Sequence, residues 1–87
     1  MGTSPEYCVY ILRSLLSEKL YIGQTNNFYR RFNEHQTGRH LATRNRGPWK
    51  VIKIIRFDSR KEATALERKL KSMKRPDRVI KYVQKLG

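Results

Sequence analysis

Residues 7–12, Tyr-Cys-Val-Tyr-Ile-Leu, are an unbroken apolar run rich in β-formers, the pattern of a strand covered on both faces. Residues 19–24, Lys-Leu-Tyr-Ile-Gly-Gln, alternate instead, with Tyr21 and Gly23 on one face and Leu20 and Ile22 on the other. The short link between these runs predicts a hairpin. Its Leu15-Leu16-Ser17 lacks the Asn-Gly signature of a tight turn, so the pattern leaves the register open. Asn26 or Asn27 is placed to cap a helix running to about Thr37, with Gly38 as its terminator. On that helix Phe28 and Phe32 mark the buried stripe, Arg31 and His35 flank it one turn apart, and Arg30 points away.

Residues 39–48 read as a basic loop, and Trp49 to Phe57 as a third strand with Val51, Ile54, Ile55 and Phe57 as its apolar content. Ser59-Arg60-Lys61-Glu62 fits a capping box opening a second helix. Ala63, Leu66, Leu70 and Met73 form the core face of that helix, with Glu67 on its shoulder. Pro76 suits the first turn of a last helix, whose Val79, Tyr82, Val83 and Leu86 define another apolar face. The predicted order is β-β-α-β-α-α without repeats or low-complexity segments, and residues 1–87 are read as one domain with its core over about 6–86.

A chain of 87 residues buries roughly 60 to 65% of its unfolded surface, which leaves no room for two independent cores. Charge then narrows the partner. Twenty Lys and Arg against seven Asp and Glu give a formal net charge of +13, the signature of a protein that meets a polyanion. Nucleic acid is the favoured polyanion. No basic helix carries the Trp, Phe and Leu face that binding at a membrane surface needs, and no apolar run approaches the ~18 residues of a span. The single Cys8 excludes an internal disulfide and reads as a small core residue, so a reducing, cytoplasmic setting is expected. No nucleotide-binding fingerprint is present, so no small-molecule cofactor is expected, and His35 and His40 lack the company that zinc requires.

Five polar residues intrude on the apolar pattern: Tyr10, Tyr21, Arg31, His35 and Glu67. Polar groups at core-facing positions persist only when something satisfies them. Singly, each has an ordinary explanation. Tyr10 and Tyr21 would be strand aromatics with rim hydroxyls, and His35 a satisfied histidine near a helix end. Arg31 would pair with Glu34 at i+3, and Glu67 with Lys71 at i+4.

Their joint arrangement says more. Cys8-Val9-Tyr10 is followed by Tyr21-Ile22-Gly23 and Gln24-Thr25-Asn26, then by Arg31, by His35 four residues later, and by Glu67 within Glu62-Ala63-Thr64-Ala65-Leu66-Glu67. With these motifs in this order the chain resembles a GIY-YIG nuclease domain of the small stand-alone bacterial type, over residues 6 to 75. The resemblance implies an α+β fold, a three-stranded antiparallel sheet flanked by helices. It also implies one divalent cation, Mg²⁺ or Mn²⁺, at Glu67, and water attack on a phosphodiester. Elementary chemistry agrees with that kit. Glu67 would hold a cation that keeps most of its waters, Arg31 offers a planar fork to phosphate, and a phenol beside a cation is drawn toward phenolate. Tyr10 is therefore the expected base, His35 its proton relay, and Tyr21 orients the water or substitutes as base. Gly23 would let the chain turn or let phosphate approach closely. Arg30, Arg39, Arg44, Arg46, Lys50 and Lys53 are the expected phosphate contacts.

Cys8 and Val9 stand where the family has glycine and isoleucine, and no asparagine follows Glu67 to brace the metal site; Gln84 is the one amide side chain there. The reading is a metal-dependent endonuclease, monomeric, on DNA in preference to RNA. Its alternative is a nucleic-acid-binding module of the same fold with little or no cutting.

Overall fold

The computed structural model describes residues 7–40 and 43–86. Strand β1 (Tyr7–Ser14) and strand β2 (Leu20–Thr25) form the predicted hairpin; helix α1 (Phe28–Gln36), strand β3 (Trp49–Phe57), helix α2 (Arg60–Met73) and helix α3 (Pro76–Gln84) follow. The sheet is three-stranded and antiparallel, as the resemblance implies, and its order is β2-β1-β3. The apolar run becomes the central strand, so both faces of β1 are covered. Val9 and Ile11 pack with Ala63, Leu70, Val79 and Val83 beneath α2 and α3. Tyr10 and Leu12 pack on the other face with Trp49, and Phe28 and Phe32 of α1 close over them.

The hairpin takes its register from a side chain instead of an Asn-Gly turn. Buried Ser14 Oγ accepts from the amides of Leu16 and Ser17 at 3.2 and 3.1 Å and donates to the Arg46 carbonyl at 2.6 Å. Glu18 supplies the left-handed residue, φ 62°. The ladder then pairs Arg13 with Leu20 and Tyr10 with Gly23.

Asn27 is the cap of α1, its side chain accepting from the Arg30 amide, and Gly38 follows the helix at φ 77°. Ser59 caps α2 by accepting from the Glu62 amide; the Glu62 carboxylate reaches back to the Ser59 hydroxyl, not to its amide. Pro76 opens α3. One expectation for that helix fails: α3 stops at Gln84, and Leu86 lies beyond it, 45% exposed. A register shift opposite Ile11 and Leu12 places both Ile52 and Lys53 across from one position of β1. Gln36 fastens the end of α1 to the start of β3. Its amide accepts from Trp49 N at 2.7 Å and donates to Trp49 O at 3.1 Å.

Candidate active site

The site grows from the alternation of β1 and β2. Tyr10 and Gly23 are cross-strand partners, so the phenol of one lies over the missing side chain of the other. A Cβ on Gly23 would stand 2.6 Å from Tyr10 Oη and 2.7 Å from Cζ. Gly23 is buried, and its vacant space is taken by Tyr10, not by phosphate as expected from the sequence.

Tyr10 and His35 are each 1% exposed, and Tyr10 Oη lies 2.9 Å from His35 Nε2. On the other ring edge, His35 Nδ1 is 2.7 Å from Thr43 Oγ1, which itself donates to the His40 carbonyl at 3.4 Å. That chain fixes the proton order. Thr43 accepts from Nδ1–H, and Nε2 accepts from the Tyr10 hydroxyl. Burial, then His40 and Arg31, pull the His35 pKa down to about 4, so the ring is neutral near pH 7. The Tyr10 phenol is pushed well above the ordinary phenol range by burial and by Tyr21, which outweigh the lowering effect of Arg31. The expected lowering of the Tyr10 phenol by a neighbouring cation is thereby outweighed, and burial favours the protonated form, which donates to His35.

Tyr21 is half-buried, its ring centroid 4.8 Å from that of His35, 5.6 Å from that of His40 and 6.2 Å from that of Tyr10. Arg31 flanks this cluster, as the wheel indicates. Its Nε is 3.6 Å from Glu34 Oε1, an ion pair too long for a hydrogen bond, which leaves Nε buried without an acceptor.

Glu67 arrives from the other side. It rises from α2, and its Oε1 accepts from Gln24 Nε2 at 2.7 Å. Gln24 shares the β2 face of Leu20 and Ile22, opposite Tyr21 and Gly23. β2 is the sheet edge, and the charges of both Glu67 and Arg31 act on the Tyr10 phenol. Lys71 Nζ pairs with the second carboxylate oxygen at 2.6 Å.

Gln24 and Thr43 are the two contributors that sequence reading passes over. Gln24 Nε2 also donates to Thr64 Oγ1 at 2.9 Å, while its Oε1 is buried with no partner. Only the motif neighbourhood Tyr21-Ile22-Gly23-Gln24 could have drawn attention to Gln24; Thr43 carries no local signal.

The expected phosphate contacts divide. Arg39, Arg44 and Arg46 are exposed on the segment that carries His40 and Thr43, with Arg44 Nε donating to the Gly38 carbonyl at 3.2 Å. Arg30 is exposed on α1. Lys50 and Lys53 belong elsewhere. They pair with Arg13 and Ile11 and so share the face of Val9, on the strand farthest from β2. They do not surround Tyr10 and His35, because strand alternation and the register shift turn them to the opposite side. Among the described residues no group of three or more His, Cys, Asp or Glu is gathered, and no helix is long and apolar enough to cross a membrane.

Known proteins resemble this chain in sequence and fold. A UPF0213 protein of Oceanobacillus iheyensis is 38% identical over 71 residues, covering 80% of this chain and 81% of the relative. A UPF0213 protein of Natronomonas pharaonis is 39% identical over 71 residues, covering 80% and 82%. The solution NMR structure of a UPF0213 protein from Bacillus halodurans superposes with a TM-score of 0.58 at 29% identity, covering 93% of this chain and 84% of that one. The GIY-YIG catalytic domain matches residues 6–82, and the chain belongs to the GIY-YIG family.

Proposed function

We propose that the protein is a metal-dependent endonuclease acting on the phosphodiester backbone of nucleic acid, DNA in preference to RNA. The observation that carries this reading is the Tyr10–His35–Thr43 chain, flanked by Tyr21, with Arg31 and Glu67 both within electrostatic reach of the Tyr10 hydroxyl.

The donor set fits a hard divalent cation. Glu67 offers a carboxylate whose orientation Gln24 fixes, and the buried, unpartnered Gln24 Oε1 is a further oxygen beside it. Glu67 would hold magnesium or manganese, which when bound would supply Lewis-acid stabilisation of phosphoryl oxygens and of the departing alkoxide. Arg31 turns its guanidinium to the phosphate, where a planar fork matches two oxygens. Tyr21, the more open phenol, orients the attacking water and, once its own proton has passed to solvent, would take the water's proton as phenolate. Tyr10 and His35 are too deeply buried to meet substrate and act as positioning residues, holding Tyr21 through ring contacts.

Purified protein incubated with branched, flapped and linear DNA plus Mn²⁺ tests the reading. Glu67-dependent cleavage is expected; cutting that survives Glu67→Ala unchanged would sink it. The Glu67–Lys71 ion pair favours one second reading, a binding module whose lysine stands where the cation would. Salt-sensitive binding without cleavage on any substrate would favour that alternative.

A further inference from the structure

The edge of β2 and the corner between α2 and α3 enclose a groove of about 410 Å³ that the proposed chemistry does not use. Its floor is apolar: Leu20 and Ile22 of β2, Leu70 of α2, and Val79 of α3. Its rim is cationic, with Lys19 at one end and Lys71, Lys74 and Arg75 along the helix corner. The corner opens because Lys74 takes a left-handed conformation, φ 62°, before Pro76 starts α3. Among the described residues no acidic side chain lines the groove; Glu67 and Asp77 lie outside it, paired with Lys71 and Arg75. Tyr21 also lines it at the β2 edge, and Lys71 on its rim pairs with Glu67, so the groove adjoins the Glu67 side of the candidate active site.

An apolar floor beneath a lysine rim discriminates among polyanions. A blunt duplex presents phosphate and sugar and keeps its bases stacked inside, so it satisfies the rim and leaves the floor bare. An unpaired strand offers both surfaces, because its bases have free faces while its phosphates stay charged. An acidic peptide would satisfy the rim, but its carboxylates have no planar apolar body to set against Leu20 and Ile22.

We propose that this groove binds an unpaired stretch of nucleic acid, a base laid on the apolar floor and its flanking phosphates on the lysine rim. The strand is thereby led toward Tyr21 and Glu67. The inference rests on the nucleic-acid reading of the same site and assigns it a substrate class, nucleic acid with unpaired nucleotides.

The test is a titration in EDTA, so that its outcome is independent of cleavage. A short labelled oligothymidylate, an abasic strand of equal length and a blunt duplex are compared by fluorescence anisotropy, with methyl NMR of Leu20, Ile22, Leu70 and Val79. The oligothymidylate is expected to bind about tenfold more tightly than the abasic strand and to move these methyl signals, which the duplex leaves in place. Lys19→Glu with Lys74→Glu, both exposed positions, should weaken oligothymidylate binding by about tenfold. The same charge change at Arg30 and Arg44 should leave the preference for unpaired strand intact. Equal affinity for the abasic strand, unmoved methyls, or equal shifts with polyglutamate would overturn the proposal. So would shifts produced by raising the protein concentration alone. If the groove behaves as expected while Mn²⁺-dependent cutting is absent, the endonuclease reading falls and the strand-binding groove stands.

Discussion

Tyr10 Oη occupies the place where a Cβ on Gly23 would project, with only 2.6 Å between them. The glycine therefore belongs to the packing of the phenol. A further contact of 3.0 Å to Tyr21 Cε1 means that an added methyl meets two rings at once. Neither neighbour is a free chain end: Tyr10 is 1% exposed and touches Phe28 edge-on at 5.6 Å. Gly23→Ala should lower stability by about 1–3 kcal/mol, read as a fall in the urea midpoint. A neutral substitution would show that the Tyr10 ring has room to move.

Removing the Tyr10 hydroxyl should expose the worth of its bond to His35. Tyr10→Phe leaves Nε2 buried without its donor, at a cost of about 1–3 kcal/mol in urea unfolding. Thr43→Val orphans Nδ1 in the same way and should cost a similar amount. In the double variant the losses should not add, because both act on one ring.

Acid should weaken the fold through His35. Its folded pKa of about 4 lies below the ordinary histidine value of about 6.5. Between those values the unfolded chain takes up a proton that the folded one refuses, so stability falls as pH drops through this window and levels off below about 4. The loss is on the order of 3 kcal/mol. Urea midpoints of the wild type and His35→Gln across the window check this; the variant should show a shallower slope, and parallel curves would contradict the assignment.

If Glu67 binds a divalent cation, its two neighbours should pull that affinity in opposite directions. Lys71→Met removes the ammonium that pairs with the carboxylate and should tighten Mn²⁺ binding by about threefold to tenfold. Gln24→Leu frees the carboxylate to rotate and should weaken it by about tenfold or more, with Gln24→Asn recovering part of the loss. Calorimetric titration with Mn²⁺ measures both without reference to cleavage.

The chain order of elements was legible because each changes the period of its apolar positions, and the resemblance supplied sheet topology and membership. Arg31–Glu34 and Glu67–Lys71 pair as i+3 and i+4 spacing predicts, beside whatever else these residues do. What stayed hidden is what depends on distance along the chain. Gln24 meets Glu67 across 43 positions, and His35 meets Tyr10 across 25. The upward push on the Tyr10 phenol stayed hidden because proximity to Arg31 can be guessed from a motif, whereas full burial beside a second phenol cannot. Lys50 and Lys53 were misplaced because the register shift on β3 leaves no mark in composition.

Strand β1 alternates between two interiors, Val9 and Ile11 toward one and Tyr10 and Leu12 toward the other. The hydrophobic core and the heart of the site are thus built on one strand, and a change that displaces β1 disturbs both. A relative that drifts toward inactivity would lose function first at the periphery. Arg31 and Glu67 sit at the margin and can change while the fold survives, whereas the Tyr10–His35 contact serves packing and the placing of Tyr21 together. Persistence of that pair alone therefore marks a relative with its scaffold intact, and the marginal charges are where a silenced one would differ.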